Sequence, residues 1–176
     1  PNCGKTTIFN ALTGLRHKVG NYSGVTVEKR DGVMVSDPHV RILDLPGTYS
    51  LAAHSPDEEV ARDVLLGRSA DTPRPDAVLV VLDAGNLERN LYLATQVIEL
   101  GLPTIVACNM MDVLAEAGHK LDTQKLARIL GVQVIPTVGS KGKGIPELQS
   151  ALRAVCRVSP SAALRKWRAP EPVERE

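Results

Sequence analysis

Hydrophobic residues along the chain switch repeatedly between helical and strand spacing. Residues 6–13 place Ile8, Phe9 and Leu12 on one face, with Gly14 where a left-handed cap belongs. Residues 27–35 and 40–45 read as strands, and Ser36-Asp37-Pro38-His39 between them predicts a hairpin. Ser55-Pro56-Asp57-Glu58 is a helix start, with a Ser cap, Pro in the first turn and Glu at capping-box spacing. Val60 and Val64 follow at i, i+4, and Gly67 closes that helix. Residues 76–83 hold six consecutive apolar side chains from Ala77 to Leu82, a strand buried on both faces. A helix over 87–100 carries Leu91, Ala94 and Ile98 and stops at Gly101. A second buried strand covers 103–109, a short helix covers 122–130 up to Gly131, and a strand covers 133–137. Ile145, Leu148, Leu152 and Val155 mark the last helix at 3.6-residue spacing. After Val158 the periodicity fails, and Ser159-Pro160-Ser161 reads as a linker. Strands alternating with helices predict an α/β fold with a mostly parallel sheet covered on both faces.

Composition narrows the classes of function. The 176 residues suit one domain. Lys and Arg number 21 against 20 Asp and Glu, so no global field draws the chain to nucleic acid or anionic lipid. Aromatic residues are only 3%, too few for a base-stacking surface. The longest apolar run, 77–82, is far short of the about 20 residues that span a bilayer. Cys3, Cys108 and Cys156 lie far apart and are odd in number, which predicts a reduced, cytosolic chain. His17, His39, His54 and His119 are dispersed and read as ordinary surface or switch residues. The chain opens without Met, on Pro1-Asn2-Cys3-Gly4-Lys5-Thr6-Thr7, which reads as the end of a loop whose preceding strand and first glycine lie upstream.

Candidate chemistry begins at Gly4-Lys5-Thr6. A phosphate loop needs glycine for close backbone approach, Lys for β/γ-phosphate charge and a hydroxyl for magnesium. A helix starts at that point, and helix N-termini bind anions. Asp44-Leu45-Pro46-Gly47 closes a strand; such an Asp can hold a magnesium shell and the Gly amide can meet a γ-phosphate. The same four residues also suit a plain turn. Asn109-Met110-Met111-Asp112 ends a later strand. Its Asp can accept from the N1–H and exocyclic amine of guanine, a donor pair adenine lacks. A polar strand end is the alternative. In Val138-Gly139-Ser140 a small residue lets a backbone amide reach the base; a flexible loop before a helix reads equally well. Thr26 can add a second hydroxyl to magnesium, or simply start a strand. Each pattern is weak alone. Together they fall in the right order, each after a strand, as in a GTPase domain.

Four runs are more specific: Asn21-Tyr22-Ser23-Gly24-Val25-Thr26-Val27-Glu28, Asp44-Leu45-Pro46-Gly47-Thr48-Tyr49-Ser50-Leu51, Ser55-Pro56-Asp57-Glu58-Glu59 and Asn86-Leu87-Glu88-Arg89-Asn90-Leu91-Tyr92-Leu93. Over roughly residues 1–157 the chain resembles the cytosolic GTPase domain of the ferrous iron transport protein B family. The resemblance implies a Ras-like P-loop NTPase fold with a mostly parallel six-stranded sheet, one antiparallel edge strand and helices on both faces. It implies a GTP-binding domain over 1–157 and, over 158–176, a linker and the start of a helical regulatory domain. A membrane domain that moves Fe(II) would follow in the same polypeptide. The fragment itself would be soluble, the cytoplasmic part of an inner-membrane protein, with no nucleic acid as partner and a homo-oligomer left open.

By resemblance, Lys5 would hold the β- and γ-phosphates, and the Gly4 and Thr7 amides would line them. Thr6 and Thr26 would ligate Mg²⁺, with Asp44 acting through water, and Gly47 would sense the γ-phosphate. Asn109 and Asp112 would read guanine, and Gly139 and Ser140 would close over the base. Cys3, Met110 and Val138 complete the nucleotide-binding set. Asn2 would seat K⁺ beside the phosphates, capped by carbonyls of Gly20-Asn21-Tyr22. Lys5, Asn2, Thr26 and Gly47 would carry catalysis. Val138-Gly139 stands where Ser-Ala is commoner. Thr48 and Tyr49 follow Gly47 where many GTPases place a water-orienting Gln, which predicts slow intrinsic hydrolysis, on the order of 10⁻⁴ to 10⁻² per second. Arg16, His17 and Lys18 in the first switch (about 16–27) read as solvated, and the second switch covers about 47–58. A ribosome-associated GTPase and a non-catalytic remnant are the competing readings. The first would bring a basic appendage that the charge balance does not show.

Overall fold

A computed structural model describes residues 2–52 and 55–157. Pro1, Ala53, His54 and 158–176, with the linker and helical-domain start expected there, lie outside the described residues. Helix α1 (Lys5–Thr13) buries Ile8, Phe9 and Leu12, the face its spacing predicts. It ends at Gly14, whose φ of 61° is left-handed and whose N–H reaches Asn10 O at 2.9 Å. Two antiparallel pairings follow, β1 (His17–Asn21) on β2 (Glu28–Met34) and β2 on β3 (Asp37–Asp44). Helix α2 (Pro56–Leu66) starts as predicted: the Ser55 hydroxyl accepts from Glu58 N–H at 3.3 Å.

The second half is a parallel βαβ run. Strands β4 (Val78–Asp83), β5 (Thr104–Asn109) and β6 (Gln133–Pro136) pair in that order, separated by α3 (Leu87–Glu99), α4 (Met111–Glu116) and α5 (Thr123–Leu130). Helix α6 (Ile145–Arg157) closes the described chain. All six residues of β5 are buried. Ile105 and Ala107 point into a core with Ile8, Leu12, Leu148 and Leu152, whereas Val106 points the other way, onto Leu82, Val97, Leu126 and Leu130. This two-residue alternation places helices on both faces, so each face of the strand is dry.

The α/β class with helices on both faces is as expected. Among the described residues the strands form two three-stranded sheets, one antiparallel and one parallel. Among the described residues β3 and β4 do not hydrogen-bond to each other. They border an apolar groove of about 500 Å³ lined by Ile8, Leu12, Ile42, Leu79, Val81 and Leu152. Neither strand β1 nor helix α4 was predicted. Strand β1 has one apolar residue in five and is exposed beyond His17, so it shows no hydrophobic alternation; its backbone ladder to β2 alone defines it. Helix α4 is too short to show a period and buries nothing.

Candidate functional site

The α1 N-terminus, the ends of β3, β5 and β6 and the turns before β2 and α2 meet on one side of the molecule. Ligands of open α/β sheets bind beyond the carboxyl ends of the strands. A concavity of about 350 Å³ there is lined by Lys5, Thr6, Thr26, Asp44, Gly47 and Asp57, drawn from four separate segments. No side chain caps α1, so its first-turn amides face outward. The Lys5 ammonium donates to Asp44 Oδ1, whose side chain is 9% exposed. The two charges that would flank a phosphate and its cation therefore neutralise each other here. Arg30 also lines the concavity, with its guanidinium paired to Glu28.

Gly4 is required twice over. Its φ of 77° is left-handed, and a Cβ would run into the side-chain amide of Asn109. Asn2 also sits at positive φ, 63°, and is exposed. Asn109 is 3% exposed, and both its amide atoms are hydrogen-bonded. Its Nδ2 donates to Cys3 O at 2.9 Å, and its Oδ1 accepts from Gly139 N–H at 2.9 Å and Thr137 Oγ1 at 3.2 Å. One buried amide thus ties the phosphate-loop segment to the 138–140 loop. Gly139 lies close to α1: a Cβ there would sit 2.9 Å from Ile8 Cδ1, the far end of a side chain that can shift.

Asp112 opens α4, after Met110 in a left-handed conformation (φ 62°). Its Oδ2 pairs with Lys141 Nζ at 2.8 Å and its Oδ1 accepts from Val113 N–H at 3.1 Å. The hydrogen bond from Lys141 holds the Asp112 carboxyl below the usual carboxylate range. Val138 and Lys143 exchange backbone bonds of 3.0 and 3.2 Å, closing the loop around Gly139 and Ser140. Cys108, one residue before Asn109, has its thiol pushed up to about 11, chiefly by burial.

Several residues at the site carry no local sequence signal. Thr48 Oγ1 donates to Ser50 O at 2.6 Å and contacts Glu58 Oε1 at 3.2 Å. The Arg89 guanidinium stacks 3.7 Å from the Tyr49 ring centre, and Gln96 Oε1 accepts from Leu51 N–H at 2.9 Å. The segment after Gly47 is thereby fastened to α3. His17 is not solvated as expected: it packs edge-on against Phe9 at 5.2 Å. Arg16 and Lys18 are exposed. Gly20 and Asn21 belong to the β1 ladder, and Tyr22 O accepts from Val25 N–H. Among the described residues no group of three or more His, Cys, Asp or Glu could hold a metal ion, and no helix is long and apolar enough to cross a membrane.

Residues 1–152 match the family model described as ferrous iron transport protein B. The Fe(2+) transporter FeoB of Legionella pneumophila is 47% identical over 157 residues, 86% of this chain and 20% of that protein. A Porphyromonas gingivalis protein, a fusion of Fe(2+) transport protein A with FeoB, is 48% identical over 156 residues, 88% of this chain and 18% of that protein. The chain spans about a fifth of these relatives. The solved cytosolic domain of L. pneumophila FeoB superposes with a TM-score of 0.80 at 48% identity, covering 90% of this chain and 61% of that one. The cytosolic domain of the T. maritima FeoB iron transporter, in its GMPPNP form, superposes with a TM-score of 0.84 at 36% identity, covering 99% and 68%. A mutant of S. thermophilus NFeoB bound to GDP gives 0.83 at 43% identity, covering 93% and 61%. With its fold, its motif geometry and these matches in agreement, the chain belongs to the ferrous iron transport protein B family.

Proposed function

We propose that residues 1–157 form a domain that binds GTP and hydrolyses it slowly, and that its nucleotide state regulates Fe(II) passage through an attached membrane domain. The observation that carries this reading is the single concavity in which Lys5, Thr6, Thr26, Asp44 and Gly47 meet. The GDP and GMPPNP forms of solved neighbours support it. On this reading the domain lies on the cytoplasmic side, and residues 158–176 lead into a helical regulatory domain.

The donor set fits Mg²⁺: two hydroxyls and a carboxylate on one wall, with the rest of the shell left to phosphate and water. Thr6 and Thr26 would hold it directly and Asp44 through water. Asn2, exposed just before Gly4-Lys5, would offer its amide oxygen to a monovalent cation held by the bound phosphates. These cations would neutralise charge on the β- and γ-phosphate oxygens. The chain's own part is to bind and position. Lys5 leaves Asp44 and moves its ammonium onto the β/γ-phosphates, freeing the carboxylate for the cation's water shell. The Gly4 and Thr7 amides line the phosphates, and the Gly47 N–H meets the γ-phosphate. Asp112 leaves Lys141 and accepts from the guanine edge, while the Gly139 and Ser140 amides close over the base. Thr48 spends its hydroxyl on Ser50 O and has no side-chain length to orient an attacking water, which keeps turnover slow.

Nucleotide titration tests the assignment. The full-length protein should bind GDP and a non-hydrolysable GTP analogue. Asp112→Asn should lose guanine affinity by a factor on the order of 10² or more and gain xanthosine nucleotides, because the donor–acceptor pattern facing the base is inverted. Unchanged GTP affinity in the variant refutes the guanine-reader role.

A further inference from the structure

The turn between β1 and β2 carries Thr26 to the concavity. Backbone bonds close it, from Tyr22 N–H to Val27 O at 3.0 Å and from Val25 N–H to Tyr22 O at 3.3 Å, and Gly24 reverses the chain at φ 79°. Its outer corner is held from elsewhere in the fold, by the connection between α2 and β4. There Asp71 Oδ1 accepts from Ser69 Oγ at 2.8 Å and Thr72 Oγ1 at 3.0 Å, and Oδ2 accepts from Ser23 N–H at 3.2 Å. Lys29 of β2 spans the junction. Its ammonium lies 3.8 Å from Asp71 Oδ2, 2.6 Å from Thr72 Oγ1 and 5.2 Å from the centre of the Tyr22 ring. The ring is 4% exposed and packs on Val64 of α2.

We propose that Asp71 is a positioning residue for the γ-phosphate side of the site: it latches the Thr26 turn to the α2–β4 connection and keeps the Thr26 hydroxyl aimed into the concavity. This rests on the reading of Thr26 as a ligand that acts only when a triphosphate is bound. The carboxylate is set before the turn reaches it, because Ser69 and Thr72 occupy Oδ1 and fix its plane, leaving Oδ2 for the Ser23 amide. Those same bonds, Ser69 first, hold the Asp71 carboxyl below the usual carboxylate range. A charge-assisted bond from a backbone amide is stronger and more directional than a neutral one. It acts on the turn and not on the nucleotide. Its loss therefore weakens only those contacts that the turn makes, and GDP makes none with Thr26.

The test compares affinities for GDP and for a non-hydrolysable GTP analogue with Mg²⁺, in the full-length protein. Asp71→Ala should weaken the analogue roughly tenfold and GDP less than twofold. Lys29→Met should act in the same direction and more weakly. Asp71→Asn should recover most of the loss, since its amide oxygen can still accept from Ser23. In a Thr26→Ala background, Asp71→Ala should have no further effect on the analogue. Hydrogen exchange should show faster amide exchange over 22–27 in Asp71→Ala, with β4–β6 unchanged. Equal losses for both nucleotides, or a full tenfold loss persisting beside Thr26→Ala, overturn the latch and make Asp71 merely structural. A parent protein that binds neither nucleotide overturns the guanine-nucleotide reading, and the latch with it.

Discussion

Tyr22 buries its hydroxyl where no described atom accepts or donates a hydrogen bond to it. Burial, then the nearby Asp44 charge, raises its ionisation well above the ordinary value of about 10. The unfolded chain can ionise this phenol from about pH 10 upward, whereas the folded chain cannot. Its contribution to stability is therefore full below about pH 10 and lost as pH rises beyond it. Tyr22→Phe keeps the ring and removes the orphaned group. Denaturant melts should show it neutral or more stable by up to about 1 kcal/mol at pH 7, with a shallower loss of stability between pH 10 and 11 than the parent. At Asn2 the expected outcome is kinetic. GTP hydrolysis should run faster in K⁺ than in Na⁺ at equal ionic strength, which holds screening constant. Asn2→Ala should lose most of that difference while nucleotide affinity stays within a few fold. Equal parent rates in the two salts end the K⁺ assignment.

At the scale of elements, the two ends of α2 show how local chemistry places the switch. Ser55 caps the helix through Glu58 N–H, and Gly67 ends it at φ 70° with its N–H on the last carbonyls. Ser55→Ala should cost about 0.5–2 kcal/mol in urea melts, and Ser55→Asp should cost far less, because aspartate caps equally well. The caps of α1, α2 and α5 were readable from residue type and spacing, since each rests on bonds within one turn. Strand β1 was not readable. His17-Lys18-Val19-Gly20-Asn21 has no apolar period, and only the β2 ladder, from His17 opposite Gly32 to Asn21 opposite Glu28, makes it a strand. The turn it creates delivers Thr26, so an element without a hydrophobic signature positions a proposed magnesium ligand.

At the scale of the molecule, Asn109 joins parts that are far apart in sequence. Asn109→Ala would leave Cys3 O and Gly139 N–H short of a partner, while the Thr137 hydroxyl keeps Cys108 O at 3.4 Å. Each such group costs about 1–3 kcal/mol. Chemical denaturation should therefore show a loss of about 2 kcal/mol or more, and GDP and GTP-analogue affinities should fall together. Selective loss of one nucleotide would contradict this scaffolding role. On the proposed reading, Asn109 would hold the floor shared by both nucleotides, whereas Asp71 would hold a turn that only the triphosphate touches.

The sequence by itself determined the α/β alternation, the helix caps, the buried strands and the order of Gly4-Lys5-Thr6, Thr26, Asp44-Leu45-Pro46-Gly47 and Asn109-Met110-Met111-Asp112. All of these are written in hydrophobic period, in conformational demands such as the left-handed Gly14, or in residues adjacent along the chain. Only the tertiary structure decided what those residues touch. It set Lys5 against Asp44, Asp112 against Lys141, Arg89 over Tyr49 and Asp71 under Ser23. It also set the β1–β3 and β4–β6 sheets on either side of an apolar groove. The reason is range. A cap or an amphipathic face is decided within a few residues by steric fit and burial, whereas a charge finds its partner only after packing has brought separate segments within a few ångströms and removed the water between them.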